Sequence, residues 1–238
     1  MNWHTRYLQQ AAWTRGLRVY LFERAGMKTA RRVLEVGCGT GAILRELSAP
    51  ALCGLDLDAG SLSQCRIHAP AALLTLGDGH FLPYPDKSFD IVYCHYFLLW
   101  VKDPLQTLRE MARVGRSVLA LAEPDYSRRV DEPPSLKPLG GWQTEALRRQ
   151  GANPSFGASL AETFYRAGIQ LVETGPIQAG AVVQSPEDWE TEWKALQSDL
   201  NGILSAADIQ TMKNLDKNAR RCGTRVLHVP TFFAWGKT

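Results

Sequence analysis

Between residues 31 and 47 the chain passes from a strand to a glycine turn to a helical pattern. Arg31-Arg32-Val33-Leu34-Glu35-Val36 is a short β-branched run, Gly37-Cys38-Gly39-Thr40-Gly41 follows it, and Ala42-Ile43-Leu44-Arg45-Glu46-Leu47 carries apolar residues at helical spacing. A strand that ends in closely spaced glycines and leads straight into a helix is the signature of strand-helix-strand units. The units repeat. Ala51 to Leu55 reads as a second strand with Asp56 at its end, residues 59–68 as a helix, and Ala72 to Leu76 as a third strand with Gly77-Asp78-Gly79 as its turn. Phe89 to Cys94 reads as a buried fourth strand, Pro104 to Arg113 as a helix, and Ser117 to Ala122 as a fifth strand running into Glu123-Pro124-Asp125. Strands alternating with helices in this way pack as a parallel sheet covered on both faces, so the expected fold is α/β, Rossmann-like and doubly wound.

The flanks are less regular. Residues 4–25 place Tyr7, Leu8, Ala11, Leu17, Tyr20, Leu21 and Phe22 at a loose i, i+3, i+4 spacing, which predicts one or two amphipathic helices. Residues 127–157 break the rhythm with Pro133, Pro134, Pro138, Gly140, Gly141 and Pro154. They are too many for a bare connector and are assigned to a cap. Leu160 to Ala167 then reads as a helix, Ile169 to Glu173 as a strand, residues 186–218 as helical, and Thr224 to Trp235 as a last strand. At 238 residues this is one large domain with insertions. The expected layout is an N-terminal helical lid over residues 1–30 and a main domain over 31–238, with the cap inserted near 127–157.

Charge and cysteine usage exclude several classes. Lys plus Arg is 27 against 24 Asp plus Glu, and no stretch gathers five like charges, so no nucleic-acid partner is expected. The first residues lack an apolar signal region, and the longest apolar stretch, Ile91 to Val101, is interrupted by His95 and too short to span a bilayer. No membrane partner and a cytoplasmic location are therefore expected. The cysteines at 38, 53, 65, 94 and 222 show neither a C-x-x-C pair nor zinc-ligand spacing, which predicts reduced thiols and no metal site.

Glycines at 37, 39 and 41 allow a ligand close to the backbone, and a helix behind them would aim its free N–H groups and positive dipole end at the same place. A carboxylate or phosphate is the expected occupant. Gly37-x-Gly39-x-x-Ala42 also satisfies the dinucleotide fingerprint, with Asp56 where that motif wants its ribose carboxylate, so the turn alone leaves two readings open. Glu35 separates them, because a carboxylate beside the turn repels a pyrophosphate and attracts an ammonium group. Asp78 could accept from an adenine amino group, as Asp56 could from ribose hydroxyls.

Further segments complete the constellation: Gly54-Leu55-Asp56-Leu57, Gly77-Asp78-Gly79, Leu82-Pro83-Tyr84-Pro85-Asp86-Lys87-Ser88-Phe89-Asp90-Ile91-Val92 and Ala122-Glu123-Pro124-Asp125. With Val33 to Gly41 they span residues 32–125 in the order found in class I S-adenosylmethionine (SAM)-dependent methyltransferases, which the chain resembles, most closely their small-molecule branch. The resemblance implies SAM as cofactor and roles for single residues. Glu35 and the backbone at Gly37 and Gly39 would hold the methionine moiety, with Cys38 and Gly41 completing the turn. Asp56 would take the ribose diol, Leu57 one adenine face, and Asp78 with the backbone at Gly79 and His80 the adenine edge. His80-Phe81 departs from the small or acidic residues usual there. The family's sheet order is 3-2-1-4-5-7-6 with the seventh strand antiparallel, and Thr224 to Trp235 would be that strand. Glu123-Pro124-Asp125-Tyr126 looks like the Asn/Asp-Pro-Pro-aromatic signature of amino-directed nucleic-acid and protein methyltransferases, but it follows the wrong strand.

The expected activity is transfer of a methyl group from SAM to an oxygen, nitrogen or carbon atom of a small-molecule acceptor. An NAD(P)-dependent oxidoreductase, opposed by Glu35 and by the absence of a Tyr-x-x-x-Lys motif, is one alternative; a non-catalytic SAM-binding partner subunit is another. Tyr7, Trp13, His95, Tyr96 and Tyr126 are the expected acceptor wall, closed by residues 1–30 without their joining the sheet's core. Strand alternation turns only one of His95 and Tyr96 toward the acceptor, and His95 is the candidate base, with a rate limb at about pH 6–7. Nothing in these motifs marks an oligomeric state.

Overall fold

A computed structural model describes residues 2–177 and 185–238. Helices α1 (Trp3–Trp13) and α2 (Arg15–Arg24) precede strand β1 (Arg32–Val36). Then come β2 (Ala51–Asp56), α3 (Ala59–His68), β3 (Leu73–Leu76), β4 (Phe89–Cys94), α4 (Pro104–Val114) and β5 (Gly115–Pro124). The second half holds β6 (Val130–Glu132), α5 (Pro138–Arg149), α6 (Leu160–Arg166), β7 (Gln170–Pro176), α7 (Pro186–Leu200), α8 (Ala206–Arg221), β8 (Val226–His228) and β9 (Thr231–Lys237). The main sheet runs β3-β2-β1-β4-β5-β9-β7, with β9 antiparallel to both neighbours. This is the expected seven-strand order once β6 and β8, which pair only with each other, are set aside.

Period-two alternation explains why both faces are apolar. Leu34, Val36, Val92, Cys94, Val118 and Ala120 enter one core with Leu108 and Met111 of α4 and Phe164 of α6. Val33, Ile91, Tyr93, Leu119 and Leu121 enter the other with Leu62 and Cys65 of α3 and Leu21 and Phe22 of α2. A third cluster, Leu136, Leu139, Trp193, Leu196, Leu200, Ile209 and Met212, lies outside the sheet and forms the cap.

Four sequence expectations change. No α-helix follows the glycine turn; residues 42–47 make one short 3₁₀ turn, Leu44–Glu46, and Leu47 is already extended. The crossover must return to Ala51 within few residues, and Pro50 disfavours helical geometry just before it. Residues 186–218 are two helices, parted where Gly202 takes φ +85° and Ser205 caps the second by accepting from the Asp208 N–H. The last strand is broken at Pro230, which offers no N–H; β8 leaves to pair with β6, and β9 begins at Thr231. The cap is not confined to 127–157, because α7 and α8 supply most of its apolar centre.

The N-terminal helices divide. Helix α2 joins the core: Leu21 and Phe22 are buried, and the Phe22 ring meets Tyr93 edge-on at 5.2 Å. Each such side chain contributes about 1.5–3 kcal/mol by burial, so α2 is part of the domain's foundation. Helix α1 lies over the carboxyl ends of the strands, where His4 Nδ1 bonds Thr40 Oγ1 at 2.8 Å and its ring stacks on His68.

Candidate active site

The glycine turn is folded onto itself. Gly37, Gly39 and Gly41 take φ of +73°, +50° and +79°, conformations that suit glycine. A side chain on Gly37 would run into the Phe97 ring, and one on Gly39 would crowd Tyr7 at 3.3 Å. The turn's N–H groups are largely spent on the protein. Those of Gly37 and Cys38 donate to Leu55 O, that of Gly41 to Cys38 O, and that of Gly39 to Asp56 Oδ2 at 2.7 Å. With no helix behind it and these donors used, the turn is not the anion cradle that its sequence advertises.

Acidic groups ring it instead. Glu35 is 3% exposed and accepts from the Tyr93 hydroxyl at 3.0 Å, so its partner is a phenol. Burial drives its pKa well above the carboxylate range, against the hydrogen bond from Tyr93. Asp56, at the end of β2, also accepts from the Asp58 N–H at 2.9 Å through Oδ1. Asp78 Oδ1 accepts from the His80 N–H (2.9 Å) and meets His80 Nδ1 at 2.6 Å. His80 Nε2 accepts from the Asp103 N–H at 3.1 Å, which puts the ring proton on Nδ1. The backbone bond from His80, foremost, holds the Asp78 carboxyl below its usual range. All three acids line one cavity of about 1020 Å³ with Gly37, Cys38, Gly39, Gly79 and the exposed Leu57; Tyr7 of α1 roofs it. Gly41 does not line it; a side chain there would strike Cys65.

The wall beyond β4 is clamped by the end of β5. Tyr96 adopts φ +51°, strained for a bulky residue at a cost of about 1–3 kcal/mol. Its N–H donates to Ala122 O at 2.8 Å, and the fully buried Glu123 accepts the next three N–H groups, those of Phe97, Leu98 and Leu99, at 3.0–3.2 Å. Burial raises the Glu123 pKa to about 7, against those same bonds. Glu123 thus anchors the turn carrying His95, Tyr96 and Phe97, a role invisible when the sequence is read locally.

The residues expected to form a single acceptor wall separate into two spaces. Tyr7 and His95 line the first cavity, Trp13 lines only a second chamber of about 620 Å³, and Tyr96 and Tyr126 line both. Arg6 and Gln143 also face both and were missed, because α1 and α5 meet only in three dimensions. His95 Nε2 bonds Thr14 Oγ1 at 2.9 Å. Burial, then the nearby Arg18, hold its pKa well below the usual histidine value, so the imidazole stays neutral at pH 7.

Known methyltransferases share parts of this sequence and its fold. The methyltransferase domain family matches residues 34–118. The demethylmenaquinone methyltransferase of Renibacterium salmoninarum is 30% identical over 160 residues, covering 63% of this chain and 65% of that protein. The malonyl-acyl-carrier-protein O-methyltransferase of Halorhodospira halophila is 37% identical over 91 residues, 35% of this chain and 31% of that one. The chain thus spans less than two thirds of the length of these relatives. In fold, the Haemonchus contortus phosphoethanolamine N-methyltransferase 2, solved with S-adenosylhomocysteine, aligns over 93% of this chain and 52% of its own at TM-score 0.58 and 18% identity. Residues 34–118 thus carry a methyltransferase domain, and the sheet order around it is that of the Rossmann-like methyltransferase fold.

Proposed function

We propose that the chain transfers a methyl group from SAM to an oxygen, nitrogen or carbon atom of a small-molecule acceptor. The observation that carries this reading is the charge of the first cavity. The glycine turn's N–H donors are largely spent internally, while Glu35, Asp56, Asp58, Asp78, Asp103 and Asp199 line the cavity against Arg6 and Lys102. Such a cavity disfavours a pyrophosphate and suits a nucleoside that bears positive charge and no phosphate. SAM, a sulfonium with an ammonium group, supplies an electrophilic methyl whose bond to sulfur breaks as the acceptor's bond to carbon forms.

The residues present fit that ligand. Glu35, drawn back to its charged form by an ammonium, would hold the methionine end. Asp56 would take the ribose diol, Leu57 one adenine face, and Asp78 with the Gly79 backbone the adenine edge, the His80 N–H being engaged by Asp78 itself. Tyr7 and α1 would exclude water, and the Tyr96 turn would orient the acceptor; the protein's contribution is positioning. If His95 acts as base, its lowered pKa puts the rate limb below pH 6.5.

Calorimetry with S-adenosylhomocysteine and with NADH, followed by label transfer from methyl-labelled SAM into a small-molecule extract, tests the proposal. Binding of S-adenosylhomocysteine and label in the low-mass fraction are expected. Binding of NADH alone would overturn it; S-adenosylhomocysteine binding without transfer would favour a non-catalytic partner subunit.

A further inference from the structure

The second chamber is studded with arginines, and all but one are matched. Arg129 donates to both oxygens of Asp131 at 2.7 and 2.9 Å, Arg225 bridges Asp131 and Asp216, and Arg220 pairs with Asp216 and Glu192. Trp189 and Trp193 also donate to Asp216, which fixes this network as the frame of the cap.

Arg6 stands apart from it. The side chain is 8% exposed, lies 4.8 Å from the Trp13 ring centroid, and donates through Nη1 to the neutral Gln9 amide at 2.5 Å. Gln9 leads on to the main-chain oxygen of Asp188 and, at 3.4 Å, to its carboxylate, which Ser185 holds in the N-cap of α7. No carboxylate among the described residues pairs with Arg6 directly, and residues 178–184, Gln-Ala-Gly-Ala-Val-Val-Gln, contain no acid. A guanidinium keeps its charge at any accessible pH, and burying one without a counter-charge is strongly unfavourable. This one faces both cavities, beside Tyr96, Tyr126 and Gln143.

We propose that Arg6 receives the anionic group of the acceptor, so that the second chamber takes a small carboxylate-bearing molecule with an apolar body. This deepens the methyltransferase reading and rests on it. One guanidinium, flanked by phenols and with no second unmatched cation among the described residues of that chamber, balances a singly charged carboxylate but leaves a phosphate dianion half neutralised. Trp13, Trp193, Leu196 and Ile177 supply the apolar wall. Burial keeps both phenols protonated, so Tyr96 and Tyr126 remain able to donate.

The test is calorimetry on the S-adenosylhomocysteine-loaded protein with acetate, succinate and phenylacetate, each against its neutral amide, and with inorganic phosphate. At least one carboxylate should bind tenfold or more tightly than its amide. Arg6→Gln should erase that preference, Arg6→Lys should keep most of it, and both should hold S-adenosylhomocysteine affinity within about threefold. No carboxylate preference in the wild type, a preference that survives Arg6→Gln, or phosphate binding in place of the carboxylates would overturn the inference. Failure of S-adenosylhomocysteine to bind the wild type would instead strike the cofactor reading, so the two are told apart in one titration series.

Discussion

Replacing Asp56 by alanine separates two jobs of one carboxylate. Its bonds from the Gly39 and Asp58 N–H groups are made within the ligand-free fold. Their loss lowers stability and cancels from the binding difference. Leaving such donors without their partner costs about 1–3 kcal/mol, and in a chain of this size that lowers Tm by about 2–12 °C. The ribose diol, by contrast, meets Asp56 only in the complex. Two hydrogen bonds to a charged acceptor contribute about 1.5–3 kcal/mol each, or roughly 10²- to 10⁴-fold in affinity; water entering the emptied corner offsets part of this. S-Adenosylhomocysteine affinity should therefore fall at least tenfold by calorimetry, while circular dichroism still reports a folded chain. Asp56→Asn should be intermediate, because the amide keeps one acceptor but turns an N–H₂ toward an N–H donor. An Asp56→Ala protein that is folded and binds within threefold of wild type would refute the assignment of the ribose to β2.

Two further outcomes bear on the clamp and the roof. Glu123→Gln replaces one oxygen facing three backbone donors with a donor, so it should lower stability by about 1–3 kcal/mol and slow turnover more than it weakens cofactor binding. The Glu123 pKa of about 7 in the fold lies above the free value of 4.5, so the folded state binds the extra proton between those values and loses stability as pH rises through them. The stability gap between wild type and Glu123→Gln should shrink by up to about 3 kcal/mol from pH 4.5 to 7 in urea titrations, and a gap that widens would contradict the burial argument. His4 behaves oppositely. Partial burial, with His68 and Arg45 nearby, holds its pKa below 6.5, so its contribution to docking α1 is present above that value and lost on acidification. Proteolysis of the N-terminal segment should accelerate below pH 6.5 in the wild type, and His4→Phe should flatten that dependence.

What could be read from the sequence was local. The strand at Arg32–Val36, the acids near the ends of β1 and β2 and within the Gly77–Gly79 turn, and the alternation through β5 follow from apolar period and glycine placement within a few residues of each other. The helix expected after Gly41 failed because pattern outranked length: six helical-looking residues leave no room for two turns before Pro50. Arg6, Gln143 and Glu123 were illegible for another reason. Each acts on a partner far along the chain, Glu123 on the turn after β4 and Arg6 on a space closed by α7 and β8, and no periodicity records such a meeting. The lid expectation also mixed two helices, since α1 roofs the cavity while Leu21 and Phe22 of α2 are core. Removing residues 2–13 would therefore test gating, whereas a deletion through residue 25 would test folding.

Strand β9 lies between β5 and β7 although it is made after both. On the ribosome, β7 emerges with neither edge paired in the sheet, and it stays so until Thr231–Lys237 has been translated. β5 meanwhile presents one open, apolar edge, the kind of surface on which a second nascent chain can add a strand. β6 likewise waits for β8. The cofactor-side half, β1 through β4, can assemble while the chain is still growing, whereas the acceptor chamber closes only after the gap between β5 and β7 is filled. Translation speed and chaperone access over residues 170–237 should thus govern yield more than any property of the glycine turn.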